Sequence, residues 1–145
     1  MKIPQYVSVE EVKKVCKALK ISDWTKKKEA KVSIKEAKVI LKELNPKGMN
    51  IDPREFCQGL EVELEHGLQF KDANVTNNHP LLTGMIVVAH FKESLDYYKL
   101  LEVAEPEGDL IKAVAKGNTA KIKDYFKRLA KARIALSKAE LDRLK

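Results

Sequence analysis

The chain has 145 residues, 34% of them charged, a formal net charge of +7 and only two cysteines, Cys16 and Cys57. That length matches one domain with a core of its own, and two cysteines make no disulfide framework. The longest apolar run, Met85 to Ala89, is far too short to cross a bilayer, so no membrane role is expected.

The opening Met1-Lys2-Ile3-Pro4-Gln5-Tyr6 lacks the apolar run of a secretory signal, so the expected setting is the cytoplasm or the inside of a virus particle. Charge comes in blocks: +7 over 1–50, −7 over 51–107 and +7 over 108–145. Such asymmetry suits an anionic partner for the basic ends, or self-association of those ends with the acidic centre. A plain lysine-rich solvated surface would give the same counts. Many Lys and few Gln hint at a heat-adapted source.

Helix starts are written clearly. Ser8 with Glu11, Ser33 with Glu36, Asp52 with Glu55 and Ser137 with Glu140 each fit a capping box, in which the first side chain caps the N3 amide and the acid reaches back. The first helix is predicted over 9–20, with Val9, Val12, Val15, Cys16 and Leu19 on one stripe and Lys13, Lys14, Lys17 and Lys20 facing away. Residues 21–32 read as a connection with a short turn around Trp24. The second helix is predicted over 34–44, placing Ile34, Ala37, Ile40, Leu41 and Leu44 together, and Asn45-Pro46-Lys47-Gly48 ends it.

The third helix is predicted over 53–66, with Pro53 at its first position and Gly67 as its C′ stop. The fourth, over 80–102, is apolar on nearly every side from Leu81 to Phe91 and should be the central, buried element. Ala104-Glu105-Pro106-Glu107-Gly108 reads as a linker. Beyond it come a short helix at 109–116, a longer one over 119–135 burying Ile122, Tyr125, Phe126 and Leu129, and a last short one after Ser137. The expected fold is all-α, a small single-domain bundle of about five to seven helices. Residues 1–104 would form the helical core and 105–145 a basic C-terminal extension. Both cysteines fall on or beside apolar stripes and should be buried thiols.

Two constellations could carry chemistry. Glu63 and His66 are spaced i, i+3 on the third helix, and His90 and Glu93 have the reversed order on the fourth. An antiparallel pairing of these helices, with Gly59 allowing close approach, would set the two pairs face to face. That resembles half of the carboxylate and histidine cage of four-helix metal proteins. Glu63, His66, His90 and Glu93 could hold one divalent ion such as Zn or Fe. A buried His90–Glu63 hydrogen bond satisfies the same residues without a metal. His90, among apolar neighbours, should be structural, whereas His79, before Pro80, should tolerate substitution. Glu61 and Glu65 read as a solvated edge.

The second constellation is basic. Lys121, Lys123, Lys127, Arg128 and Lys131 lie opposite Ile122, Phe126 and Leu129, relieved only by Asp124. With Lys13 and Lys17 on the first helix and the Lys26-Lys27-Lys28 run, they could follow a phosphate backbone. There is no aromatic platform for single strands. An EF-hand fails, because Leu44, Asn45 and Lys47 stand where acids would be needed. No glycine-rich phosphate loop, nucleophile elbow or Cys-x-x-Cys pair is present, so the reading favours a protein without catalytic activity.

The run Gly59-Leu60-Glu61-Val62-Glu63-Leu64-Glu65-His66-Gly67, then Asn74-Val75-Thr76-Asn77, Thr83, Ala89-His90, Glu93 and Asp96-Tyr97-Tyr98, resembles an uncharacterised prokaryotic and phage domain family, a domain of unknown function, over about residues 53–101. The resemblance implies that Glu63, His66, His90, Glu93, Tyr97 and Tyr98 belong to the family's own pattern, and that the setting is often a virus or mobile element. One departure is Asn78-His79, where the family tends to carry acids. The expected role is a helical interaction protein of an archaeal or bacterial mobile element, with basic flanks contacting nucleic acid or a protein partner. A metal-binding protein and a structural subunit of an oligomer or particle are the alternatives.

Overall fold

The computed structural model describes residues 7–44 and 46–145. Among these the protein is all-α, with six α-helices and no strand. They are α1 (Val9–Leu19), α2 (Ile34–Leu44), α3 (Pro53–Gln69), α4 (Pro80–Glu93), α5 (Tyr97–Ala115) and α6 (Thr119–Arg143), with 3-10 turns at Trp24–Lys26 and Lys71–Ala73. Two compact units contain them, Met1–Lys92 and Glu93–Lys145.

In the first unit, Ser8 caps α1 by accepting from the Glu11 amide at 3.2 Å. Lys20 closes the helix in the left-handed region at φ 55°. There the Ile21 amide reaches back to the Cys16 carbonyl and the Lys20 amide to that of Lys17, which satisfies carbonyls that the helix leaves over. Trp24 is fully buried in its short turn.

At α2 both halves of the capping box form. The Ser33 amide donates to Glu36 Oε2 at 3.0 Å and the Glu36 amide to Ser33 Oγ at 3.2 Å. The core gathers Val12, Cys16, Trp24, Ala37, Ile40, Phe56, Leu60, Leu64 and Val87. Gly84 lets α4 approach α2 and α3. A Cβ there would stand 2.7 Å from Leu44 Cδ1, 2.9 Å from Ile40 Cγ2 and 3.3 Å from Phe56 Cζ.

The second unit is a hairpin of α5 and α6. Gly117 takes φ 63°, Asn118 donates its amide to the Ala113 carbonyl at 3.0 Å, and the Asn118 side chain then caps α6 through the Lys121 amide. So short a connection makes the helices antiparallel neighbours. Tyr98, Pro106 and Ala113 of α5 and Leu129 and Ala132 of α6 are its buried residues. Buried Asp96 meets Arg143 at 2.8 Å and Lys99 at 3.4 Å, and Glu107 meets Arg133 at 2.9 Å.

Several expectations are corrected. The helix expected over 80–102 stops at Glu93, because the Ser94 hydroxyl accepts the Asp96 amide and a tight turn carries the chain into α5. The apolar period runs on through Leu95, Tyr98 and Leu101 and hides that turn. Nor is α4 buried all round: Met85 is 57% exposed. Helix α3 passes Gly67 and ends at Gln69.

The segment 104–108, expected as a linker, is helical, with buried Pro106 inside α5. A proline within a helix loses one backbone hydrogen bond and crowds the preceding turn, and packing within the hairpin offsets that cost. Helix α6 runs unbroken through Ser137. Phe126, expected inside, is 57% exposed, as the hairpin offers α6 one seam and Leu129 and Ala132 occupy it.

Candidate functional site

Glu63 sits on α3 with its side chain only 13% exposed, between two imidazoles. His66 Nδ1 lies 3.8 Å from Glu63 Oε2 and His90 Nε2 lies 3.5 Å from Glu63 Oε1. The i, i+3 spacing brings His66 to Glu63 within α3. The seating of α4 at Gly84 brings His90 from a second helix. His66 is half exposed and His90 one quarter exposed, so the cluster opens to solvent on the His66 side. Glu93 is exposed and is the last residue of α4, in the second unit. Among the described residues, no three His, Cys, Asp or Glu side chains gather as a metal-holding group.

His79 corrects its reading as a free loop residue. It is buried at the start of α4, and its Nδ1 accepts the Leu82 amide at 3.3 Å. An imidazole accepting at Nδ1 must be neutral there. Burial accordingly lowers its pKa, with the charge of Glu11 pulling partly the other way.

Glu61 is also no solvated edge, for its Oε1 accepts the Val32 amide at 2.9 Å. Cys57 Sγ bonds the Val32 carbonyl at 3.1 Å, and burial, then the charges of Glu61 and Glu36, push its pKa up to about 11. Burial likewise raises Cys16. Both cysteines are buried free thiols held protonated, the opposite of what a nucleophile needs.

On α6, Lys121, Lys123, Lys127, Arg128 and Lys131 are all exposed, and the Arg128 guanidinium lies 5.9 Å from the centre of the Tyr125 ring. Lys13 and Lys17 are exposed on α1, in the other unit.

The model of a family described as a protein of unknown function (DUF5661) matches residues 12–107. The chain belongs to this family. The match covers α1 to most of α5, well beyond the 53–101 stretch where the residue pattern is densest, and it takes in the Glu63, His66 and His90 cluster. Helix α6 lies outside it. No curated protein and no solved structure matches the chain.

Sequence reasoning gave no role to the turn after α3. There Asn74 Nδ2 donates to the Gly67 carbonyl at 3.0 Å and to Asn78 Oδ1 at 2.9 Å, and the Asn77 side chain holds the Val7 carbonyl at 3.1 Å. Asn77 and Asn78 both take positive φ, at 49° and 57°. The signal was present as three asparagines in five residues, since Asn tolerates that region and bonds nearby backbone.

Proposed function

We propose that this is a non-catalytic helical interaction protein, encoded by a virus or other mobile element of archaea or bacteria, that contacts nucleic acid through α6. The observation carrying this reading is the exposed basic surface of Lys121, Lys123, Lys127, Arg128 and Lys131 on one long helix. Lysines and arginines on a straight helix can neutralise successive phosphates, and the release of counterions drives binding without sequence preference. Lys13 and Lys17 on α1 give the other unit a second basic surface. The viral setting rests on the resemblance over residues 53–101. Exposed Phe126, Ile134 and Leu141 on α6 also suit a protein partner.

Gel retardation of duplex and single-stranded DNA and RNA at low salt tests the reading. Binding should weaken steeply with salt, and Lys123→Ala, Lys127→Ala and Lys131→Ala together should flatten that slope by about three phosphate contacts. Lack of retardation at low salt removes it.

A second reading is a divalent metal at Glu63, His66 and His90, favoured by the two imidazoles flanking one carboxylate, with Glu93 of the expected set lying in the other unit. Zn or Fe suits imidazole, and the carboxylate supplies charge. Metal content of protein purified without a histidine tag tests it. A stoichiometric ion lost in Glu63→Gln supports the site, and its absence after Zn or Fe loading removes it.

A further inference from the structure

Within the first unit a cavity of about 1060 Å³ lies between the segment after Trp24 and the end of α3 with its following turn. Lys27 and Lys28 line one wall, and Leu68, Lys71, Asn74 and Asn78 line the other. The metal reading does not use it, and it shares with the nucleic-acid reading only Lys27 and Lys28 of the Lys26-Lys27-Lys28 run. Its volume matches pockets that take a ligand of drug or nucleotide size.

Its charge is one-sided. Three lysines line it against a single acid, Asp72. The Lys27 ammonium bonds the Lys31 carbonyl at 2.5 Å and lies 5.7 Å over the Trp24 ring, which fixes it in the wall, while Lys28 and Lys71 are exposed. A concave site with positive walls focuses the field and concentrates anions. The far wall is held in one shape by the Asn74 bonds to Gly67 and Asn78 and by the left-handed backbone at Asn77 and Asn78. A ligand meeting it therefore orders few groups on binding. Leu68 and exposed Val75 add apolar surface beside the charges.

We propose that this cleft binds a phosphate-bearing small molecule of nucleotide size, with Lys28 and Lys71 meeting the phosphates and Leu68 and Val75 meeting the flat or apolar part. Lysine acts as a point charge toward phosphate, so two or three ammonium groups around one anion suffice without a fork geometry. The terminal phosphate of a nucleic-acid strand offers the same chemistry, and the trinucleotide arm of the test below separates the two.

The test is an NMR titration of the full chain with inorganic phosphate, ATP and a 5′-phosphorylated trinucleotide, each to about 5 mM. ATP should give saturable shifts at Lys28, Lys71 and the side-chain amides of Asn74 and Asn78, with phosphate moving the same lysines more weakly. A Lys28→Gln, Lys71→Gln variant, whose two sites are exposed and whose melting should match the parent, should bind ATP roughly tenfold more weakly or worse. Replacing Lys123, Lys127 and Lys131 should leave ATP binding unchanged, which separates this site from the α6 reading. No saturable shift, shifts centred on α6, binding of the trinucleotide alone, or full ATP binding by the double variant overturns the proposal.

Discussion

Gly67 and Asn78 meet so closely across the turn after α3 that a Cβ on Gly67 would stand 2.2 Å from Asn78 Oδ1. The same contact brings the Asn74 amide within 3.0 Å. Gly67 is thus required by close approach inside a helix, not by a left-handed helix end. Gly67→Ala should cost about 1–3 kcal/mol, the usual range for forcing an atom into a packed site. In an Asn78→Gly background, which removes the obstructing oxygen, much of that penalty should vanish, because contacting residues are not additive. Denaturant melts of the two single variants and the double variant give the coupling.

His79 should matter more than its place before a proline suggests. Its Nδ1 caps α4, so His79→Ala should lose about 0.5–2 kcal/mol, the range for a lost N-cap acceptor. Its folded pKa lies below the ordinary 6.5 because burial disfavours the charged ring. The unfolded chain therefore binds the proton first, and this contribution is full above pH 6.5 and shrinks as pH falls. His79→Asn keeps an acceptor without a titrating ring. Thermal melts between pH 7.5 and pH 5 should show a smaller drop for His79→Asn than for the parent, and equal drops would refute the assignment.

Glu36 joins α2 to the segment after α1. Its Oε1 accepts the Ser22 amide at 3.1 Å as well as the Ser22 hydroxyl, while Oε2 closes the box with Ser33. Burial raises its pKa, yet the hydrogen bonds from Ser22 and Ser33 outweigh that and bring it from 4.5 to about 2. A depressed carboxyl stabilises the fold above pH 4.5 and loses that contribution as pH falls toward 2. Glu36→Gln should be less stable at pH 7 and should approach the parent near pH 2. A constant gap between the two across that range would count against the network.

His66 and His90 share Glu63 but differ in exposure, 51% against 26% of the side chain. His66→Ala should change stability by less than about 0.5 kcal/mol, as substitutions of half-exposed surface side chains usually do. His90→Ala removes packing between two helices as well as a partner for a mostly covered carboxylate, and should cost about 1–3 kcal/mol. Melting both variants in chelator gives the metal-free comparison, and equal small shifts would contradict the geometry.

Local chemistry determined most of the helix map. The Ser8, Ser33 and Asp52 caps, the Gly117 break and the stripes of Val12–Cys16, Ala37–Ile40 and Phe56–Leu60–Leu64 set α1, α2 and the start of α3 and α6, because each acts within about one or two turns of chain. Where neighbours in space decide, the sequence misled. Gly67 has the composition of a stop and serves as a point of contact with Asn78, and Ser137-x-x-Glu140 reads as a start yet lies inside a continuous helix.

Pro106 stays helical because the hairpin seam holds the turns on either side of it. Ser94 ends α4 against an unbroken apolar period, since one hydroxyl bonding to a backbone amide can outcompete the next helical turn. The pairing of Glu63 with His66 follows from spacing alone. His90 reaches the same carboxylate only because Gly84 lets α4 settle against α2 and α3, and no local rule carries that information. The buried state of His79 likewise depends on long-range packing, which a reading by period and cap does not see.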